Sequence, residues 1–339
     1  MTTSIQDVAQ KAGVSISTVS RSFTRPDLVS TKTRERVLAI ADELNFSLSR
    51  SAAALKSGRS LRIAVLMSGH IRLWFTASVI EGLNEVLHAA GYDISVFQIS
   101  SIEERREFFE MLPVRRNADA VIVVSFDIDN NEITQLASAD VPIIGINTPS
   151  SESFDATISI DDEKGMYTAA QHLINLGHKH IVYPCSEAAG LDSSIDARAQ
   201  GFINACKDAE GKHDINWEVL SVPRGPAFAD SALSALLAMD EFPDAICCQM
   251  DMMAIPLVLK LERYGHRTPR DYSIVGFDDS PYADTINLTT MRQDPYAMGR
   301  AAANKALTLI SGKTLYDPHE VLEAQLVPRS TDIPFGEMA

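Results

Sequence analysis

The sequence has few cysteines, no long apolar run and no secretory leader, and each absence excludes a class of protein. Its four cysteines among 339 residues, Cys185, Cys206, Cys247 and Cys248, are too few and too scattered for a disulfide framework or a zinc site. No apolar run approaches the roughly 18–20 residues of a membrane-spanning helix. The N-terminus lacks the basic and apolar regions of a signal peptide. We therefore expect a cytoplasmic protein without a metal, a cofactor or a membrane partner.

Charge is distributed unevenly along the chain. The net charge of -15 argues at first against a nucleic-acid partner. The first 60 residues, however, carry nine basic and five acidic side chains, whereas the remainder carries 21 basic and 40 acidic ones. A basic N-terminal module on an acidic body is the distribution expected when only the module meets phosphates. Chance variation in a short segment is the alternative that charge alone leaves open.

The first 46 residues show the pattern of three short helices. Ser4 precedes a stretch of helical periodicity and Gly13 follows it, as helix caps do. Ser15 is expected to cap the second helix and Ser30 to begin the third, which ends at Asn45. Two short helices joined by a glycine-centred turn predict a helix-turn-helix, whose second helix enters the major groove of DNA. A helical hairpin in an ordinary domain is the alternative.

The second helix carries the candidate base-reading residues. Arg21 can donate two hydrogen bonds to a guanine edge, and Ile16 can pack on a thymine methyl group. Hydroxyl groups on the same helix can reach bases or phosphates. The residues expected in the major groove are Ser15, Ile16, Ser17, Thr18, Ser20 and Arg21.

The head resembles a known family. The run IQDVAQKAGVSISTVSRSFTRPDLVSTKTRERVLAIADELNF is similar to the DNA-binding head of LacI/GalR-type bacterial transcription regulators, with DVA, AGVS, TVSR, TRERV and the closing N-F in order. The resemblance implies that Ile16 and Ser17 form the variable base-reading pair. It also implies a hinge helix at residues 47–60 that places Ala52 and Leu55 in the minor groove, where an inserted apolar side chain kinks the duplex. Ser49 and other residues depart from the family's hinge pattern.

Beyond residue 60 the chain alternates between short apolar runs and amphipathic segments, which predicts an α/β fold. The runs at 63–67, 120–124, 142–146, 180–184 and 272–277 are expected to form buried parallel strands. A body of this length exceeds one comfortable core, so we expect two doubly wound lobes. Ligands of such sheets bind beyond the carboxyl ends of the strands.

The resemblance extends through the body in GHKHIVY, RAQGF, IVGFDDSP and LTTMRQDPYAMG, and it implies a periplasmic-binding-protein-like domain with three crossings between its lobes. We place the crossings near residues 160, 290 and 320. The expected domains are a helix-turn-helix head at 1–46, a hinge at 47–60 and an effector-binding and dimerisation domain at 61–339. The N-lobe is expected at about 61–159 and 291–319, and the C-lobe at about 160–290 and 320–333.

Matching motif positions also imply an effector site. Its carboxylates, amide, guanidinium and aromatic face suit a hydroxyl-rich ligand, so a sugar or sugar derivative is favoured. Purely structural roles are the alternative for each side chain. Met250 replaces the Asn of most relatives and makes the pocket less polar, so a nucleobase-type co-repressor is the alternative effector. The candidate effector-binding residues are Phe75, Asn147, Arg198, Asp251 and Asp278.

No hydrolase, nucleotide-binding or metalloprotease motif is present, so we expect no catalytic residues. The sequence is interpreted as a transcriptional repressor that binds a pseudo-palindromic operator in double-stranded DNA as a homodimer, under the control of a small-molecule effector. The competing interpretation is a carbohydrate-binding protein whose head is only a docking module.

Overall fold

The computed structural model describes residues 4–24, 26–46, 59–68, 70–99, 102–115, 117–126, 128–137, 140–148, 154–186, 193–223, 225 and 227–338. The chain divides into two compact units, Met1–Leu61 and Arg62–Ala339. Most of the predicted hinge, including Ala52 and Leu55, lies outside the described residues. None of the described helices has the length and apolar character needed to cross a bilayer.

The first unit contains the three predicted helices: α1 (Ile5–Ala12), α2 (Ile16–Thr24) and α3 (Thr31–Glu43). Ser4 caps α1 in a reciprocal pair with Asp7, and Gly13 follows α1 in the left-handed conformation. Both caps were predicted and are confirmed. The three helices enclose a small core centred on Val8, Val19 and Val37.

The second unit is α/β, as predicted. Its helices are α4 (Trp74–Ala89), α5 (Ile102–Arg115), α6 (Asn130–Ala137), α7 (Asp162–Asn175), α8 (Ser193–Ala209), α9 (Phe228–Leu237), α10 (Asp251–Leu261) and α11 (Pro295–Ile310). Its strands are β1 (Arg62–Met67), β2 (Asp93–Gln98), β3 (Ala120–Val124), β4 (Ile143–Ile146), β5 (Ala156–Ile160), β6 (His180–Ser186), β7 (Asn216–Val222), β8 (Ala245–Cys247), β9 (Ser273–Asp278), β10 (Thr289–Arg292), β11 (His319–Leu322) and β12 (Gln325–Val327).

These strands form two six-stranded sheets, which define the two lobes. The N-lobe sheet has the order β11-β5-β4-β3-β1-β2, and the C-lobe sheet has the order β12-β10-β9-β8-β6-β7. The pairs are parallel except β10 with β12. Strands β1 and β3 are almost wholly buried, which explains why they read as continuous apolar runs.

The chain crosses between the sheets three times, as predicted. The crossings follow β5, β10 and β11, after Ile160, Arg292 and Leu322, close to the predicted positions near residues 160, 290 and 320. Each strand therefore ends within a few residues of the approximate lobe boundary predicted for it. A strand belongs to the sheet whose neighbouring strand exchanges backbone hydrogen bonds with it. The apolar pattern alone does not reveal that neighbouring strand.

Candidate functional site

Polar side chains gather where the first two crossings meet the C-lobe. Asp162 begins α7 immediately after the first crossing, Arg198 lies on α8, and Asp278 ends β9. Gln293 follows β10 on the second crossing, and Asn147 follows β4 in the N-lobe. The group lies beyond the carboxyl ends of parallel strands, where open α/β sheets bind ligands.

Arg198 is buried and held on several sides. Its Nε donates a hydrogen bond to Asp162 Oδ1 at 2.7 Å, and its Nη1 donates to the carbonyl oxygen of Gln249 at 2.9 Å. The same Nη1 lies 3.5 Å from Asp278 Oδ1. The guanidinium carbon stands 3.7 Å from the centroid of the Phe277 ring, a cation–π contact. Arg198 is therefore a fixed positive charge rather than a mobile surface side chain.

Asp278 and Gln293 present hydrogen-bond acceptors that the protein leaves free. Gln293 Nε2 donates to Asp278 Oδ1 at 2.6 Å, whereas Gln293 Oε1 is buried without a partner among the described residues. Asp278 Oδ2 likewise accepts no hydrogen bond from the residues that the structure describes. Burial raises the pKa of Asp278 to about 7, and Arg198 opposes this effect. Only the Gln293 oxygen is fully buried, but two neighbouring acceptors without a donor from the protein indicate a ligand that carries N–H or O–H groups.

In contrast, both carboxylate oxygens of Asp251 accept hydrogen bonds from the protein. Its Oδ1 accepts the hydroxyl of Thr290 at 2.6 Å, and its Oδ2 accepts the backbone N–H of Ser280 at 2.7 Å. Burial raises the pKa of this carboxyl to about 6. A Cβ atom on Gly276 would lie 2.3 Å from Asp251 Oδ1, so only glycine fits on β9 at this point. Asp251 thus braces the turn that carries Asp278.

Asn147 links the two lobes at the same place. Its Nδ2 donates to Ser194 Oγ on α8 at 2.8 Å and lies 3.4 Å from Asp162 Oδ2. Its Oδ1 accepts the backbone N–H of Ile160 at 3.1 Å. The amide therefore joins the end of β4 to the first crossing and to the C-lobe, so movement of one lobe against the other changes these contacts.

Four of the five predicted effector residues lie in or directly beside this cluster, and the fifth, Phe75, makes none of its hydrogen bonds. Phe75 is half-buried in the first turn of α4, and among the described residues it has no hydrogen bond or ring contact with the cluster. Asp162 and Gln293 belong to the cluster but are not among the residues predicted from the sequence. Asp162 follows a strand end, and Gln293 belongs to the LTTMRQDPYAMG motif, which supplied the signal that was overlooked.

On the head, the predicted base-reading residues lie on or next to α2. Ser15 precedes the helix, and its Oγ accepts the backbone N–H of Thr18 at 3.1 Å and lies 2.8 Å from the Ser17 hydroxyl. Ser15 is thus a helix cap, as the sequence predicts. Ile16 remains 46% exposed, which is unusual for a large apolar side chain on a helix with a packed core. Arg21 is exposed as well.

Comparisons with known proteins agree with both regions. Residues 4–49 match the family model described as bacterial regulatory proteins, lacI family, and residues 170–331 match that of a periplasmic binding protein-like domain. The HTH-type transcriptional repressor PurR of Photobacterium profundum is 30% identical over 316 residues, which cover 91% of this chain and 92% of that protein.

Two solved structures share the fold over nearly the whole chain. The lac repressor dimer bound to operator and the anti-inducer ONPF gives a TM-score of 0.83 at 25% identity, with both chains fully covered. The transcriptional regulator CelR in complex with cellobiose gives a TM-score of 0.68 at 26% identity, covering 97% of this chain and 99% of that one.

Proposed function

This chain belongs to the LacI family of DNA-binding transcriptional repressors, and we propose that it represses transcription under the control of a nucleobase-type co-repressor. The small molecule binds between the lobes, on the cluster of Arg198, Asp278 and Gln293. Its binding favours the lobe arrangement in which the protein grips its operator, and so shifts the DNA-competent population.

The free acceptors of Asp278 and Gln293 carry this proposal. Gln293 Nε2 already donates to Asp278 Oδ1, so Asp278 Oδ2 and Gln293 Oε1 belong to one hydrogen-bonded pair. Two neighbouring acceptors match a ligand edge with two neighbouring donors, such as the ring N–H and exocyclic amino group of guanine. The fixed guanidinium of Arg198 balances part of the negative charge.

The effector class is revised from the sequence-based expectation. A sugar was favoured there, with a nucleobase as the alternative. Two relatives that span nearly the whole chain, from Photobacterium profundum and Vibrio cholerae, are PurR repressors, which favours the nucleobase. Met250 lies next to the buried Asp251 in the sequence, and its apolar thioether also favours a nucleobase over a sugar. A sugar is the second candidate, because the similar CelR structure holds cellobiose.

At the DNA, we assign base reading to exposed and half-buried residues of α2. Ile16 contacts a thymine methyl group, Arg21 a guanine edge, and Ser17, Thr18 and Ser20 reach bases or phosphates. Ser15 has a different task, because its hydroxyl is used in capping the helix. Ala52 and Leu55 of the hinge are assigned to the minor groove on the family pattern alone.

We further propose that the protein binds DNA as a homodimer through α10. Met252 and Leu259 are 46% and 51% exposed and lie seven residues apart, hence on one face of this helix. A second copy of the chain is the occupant that two-fold operators require. The similar lac repressor structure is a dimer.

The test is operator binding in the presence of defined ligands. An operator selected from random duplexes is titrated with full-length protein in the presence of guanine, hypoxanthine, ribose or cellobiose, at two salt concentrations. We expect guanine to tighten specific binding most, and hypoxanthine, which lacks the exocyclic amino group, less. A response to cellobiose alone would replace the nucleobase with the sugar. Absence of any sequence preference would overturn the repressor function.

A further inference from the structure

The turn after β9 has a backbone that side chains rarely adopt. Asp278 has a φ of 129° and Asp279 a φ of 54°. Two consecutive residues with side chains at positive φ are strained, and such strain persists only where the surroundings enforce it. Because Asp278 belongs to the proposed effector site, whatever enforces this turn also sets the geometry of the site.

One restraint on the turn comes from the far end of the chain. Asp279 Oδ1 accepts a hydrogen bond from Arg329 Nη2 at 2.7 Å, and Asp279 Oδ2 accepts one from Arg292 Nε at 2.6 Å. The Arg292 side chain is half-exposed, whereas only 14% of the Arg329 side chain is exposed. Arg329 is thus the better shielded of the two cations, and its bond is the less screened by solvent.

Arg329 is itself anchored in place. Its Nη1 donates to the carbonyl oxygen of Leu288 at 2.7 Å, and its backbone N–H donates to Thr289 Oγ1 at 2.8 Å. Two residues later, Thr331 accepts the backbone N–H of Ile274 and donates its hydroxyl to the carbonyl oxygen of the same residue. The segment after β12 is therefore bonded to β9 and to the start of β10, the two strands that flank the turn.

From this geometry we propose that Arg329 is a positioning residue of the effector site. It holds Asp279 in the strained turn, and Asp279 in turn directs Asp278 Oδ2 toward the ligand. Arg329 acts through another residue and does not touch the ligand. The inference rests on the proposed effector site, and it adds the C-terminal segment to the elements that determine effector affinity.

The first experiment measures guanine affinity in the full-length protein by calorimetry. Arg329→Ala is expected to raise Kd about tenfold or more, which corresponds to a coupling of ordinary size between contacting residues. Arg329→Lys, which retains a cation for Asp279 but not the bond to Leu288, is expected to lie between wild type and Arg329→Ala. Arg270→Ala is the matched control, because Arg270 pairs with Asp271 on the surface of the same lobe. It is expected to leave Kd unchanged.

A double-mutant cycle separates positioning from general weakening of the fold. Asp279→Asn removes the charge that Arg329 holds while it keeps the shape of the side chain. If Arg329 acts through Asp279, the double variant binds guanine no more weakly than the worse single variant. Additive losses would overturn the proposal, as would an Arg329→Ala protein that binds guanine like wild type. If Arg329→Ala fails to fold, Arg329→Lys and Asp279→Asn provide the same comparison.

A second measurement needs no ligand. Carbon-13 labelling of aspartate carboxyls gives the titration of Asp278, identified by its loss in Asp278→Asn. Loss of the Arg329 cation alone would raise the midpoint of Asp278, because carboxylates ionise less readily when a cation is removed. Release of the turn into solvent would lower the midpoint, and this fall is the expected result. A rise or no change would contradict the positioning role. If guanine does not bind wild-type protein, the nucleobase proposal fails, and this titration still decides the role of Arg329.

Discussion

The proposed recognition surface of the head and the proposed effector cluster of the body place their side chains in opposite environments. On α2, Ile16 and Arg21 are exposed, and the small core beneath them is complete without them. In the body, Arg198 is buried, and the carboxylates of Asp162 and Asp278 flank its guanidinium. The head can therefore change its DNA target at little cost in stability, whereas each charge of the cluster affects stability and binding together.

The largest effect is expected from Arg198→Ala. Removing the guanidinium leaves the buried carboxylate of Asp162 without its cation, so the free energy of unfolding should fall by about 3–5 kcal/mol. Urea denaturation of the full-length protein measures this loss. The surface pair of Arg270 and Asp271 provides the control, and Arg270→Ala should leave the free energy of unfolding close to the wild-type value. Equal losses of unfolding free energy in Arg198→Ala and Arg270→Ala would contradict the difference between the buried cluster and the surface.

A loss of DNA specificity without a loss of stability is expected from Arg21→Lys. Lysine keeps the charge but cannot form two parallel bonds to guanine, so specific affinity should fall by about 1–3 kcal/mol. Binding to a scrambled duplex and Tm should both stay near the wild-type values. Fluorescence anisotropy at one salt concentration measures both affinities. A parallel fall in the two affinities would assign Arg21 to phosphate contact instead.

Asp278→Asn is expected to stabilise the protein while it abolishes the effector response. Burial raises the pKa of Asp278 to about 7 in the folded state, above the value of about 3.9 in an unfolded chain, so this group costs stability as the pH rises from 4 to 7. The amide removes that cost. Its Tm advantage should therefore grow between pH 5 and pH 8, reaching about 2 °C or more. Calorimetric scans test this, and a constant or negative difference would contradict it.

The smallest effect is expected from Ser15→Ala. Ser15 caps α2, so its loss should lower the stability of the head by about 1 kcal/mol. Ser17→Ala, at the second position of the helix, should change stability less and sequence preference more. Thermal denaturation of the head measures the change in stability, and the anisotropy assay measures the change in sequence preference. Together they distinguish the two serines. If both behave alike, the division between cap and base reader is wrong.

The same contrast explains what the sequence predicts well. The caps Ser4 and Gly13 depend on residues within one helical turn, so local pattern is sufficient to locate them. The buried strands of both sheets are likewise visible as apolar runs. The contacts of the cluster are not local, because Gln293 meets Asp278 across fifteen residues and Arg198 meets Asp162 across thirty-six. Neither residue type nor spacing distinguishes the buried Asp162 from acids at the surface, and Arg329 lies farther still along the chain from the turn that it is proposed to hold.

The most direct measurement is operator affinity in wild-type protein and in Asp278→Asn, each with and without guanine. Both proteins keep the same head, so any difference arises in the effector cluster. We predict that guanine tightens operator binding by wild-type protein and leaves that of Asp278→Asn unchanged. An equal response in the two proteins, or none in wild type, would contradict the account.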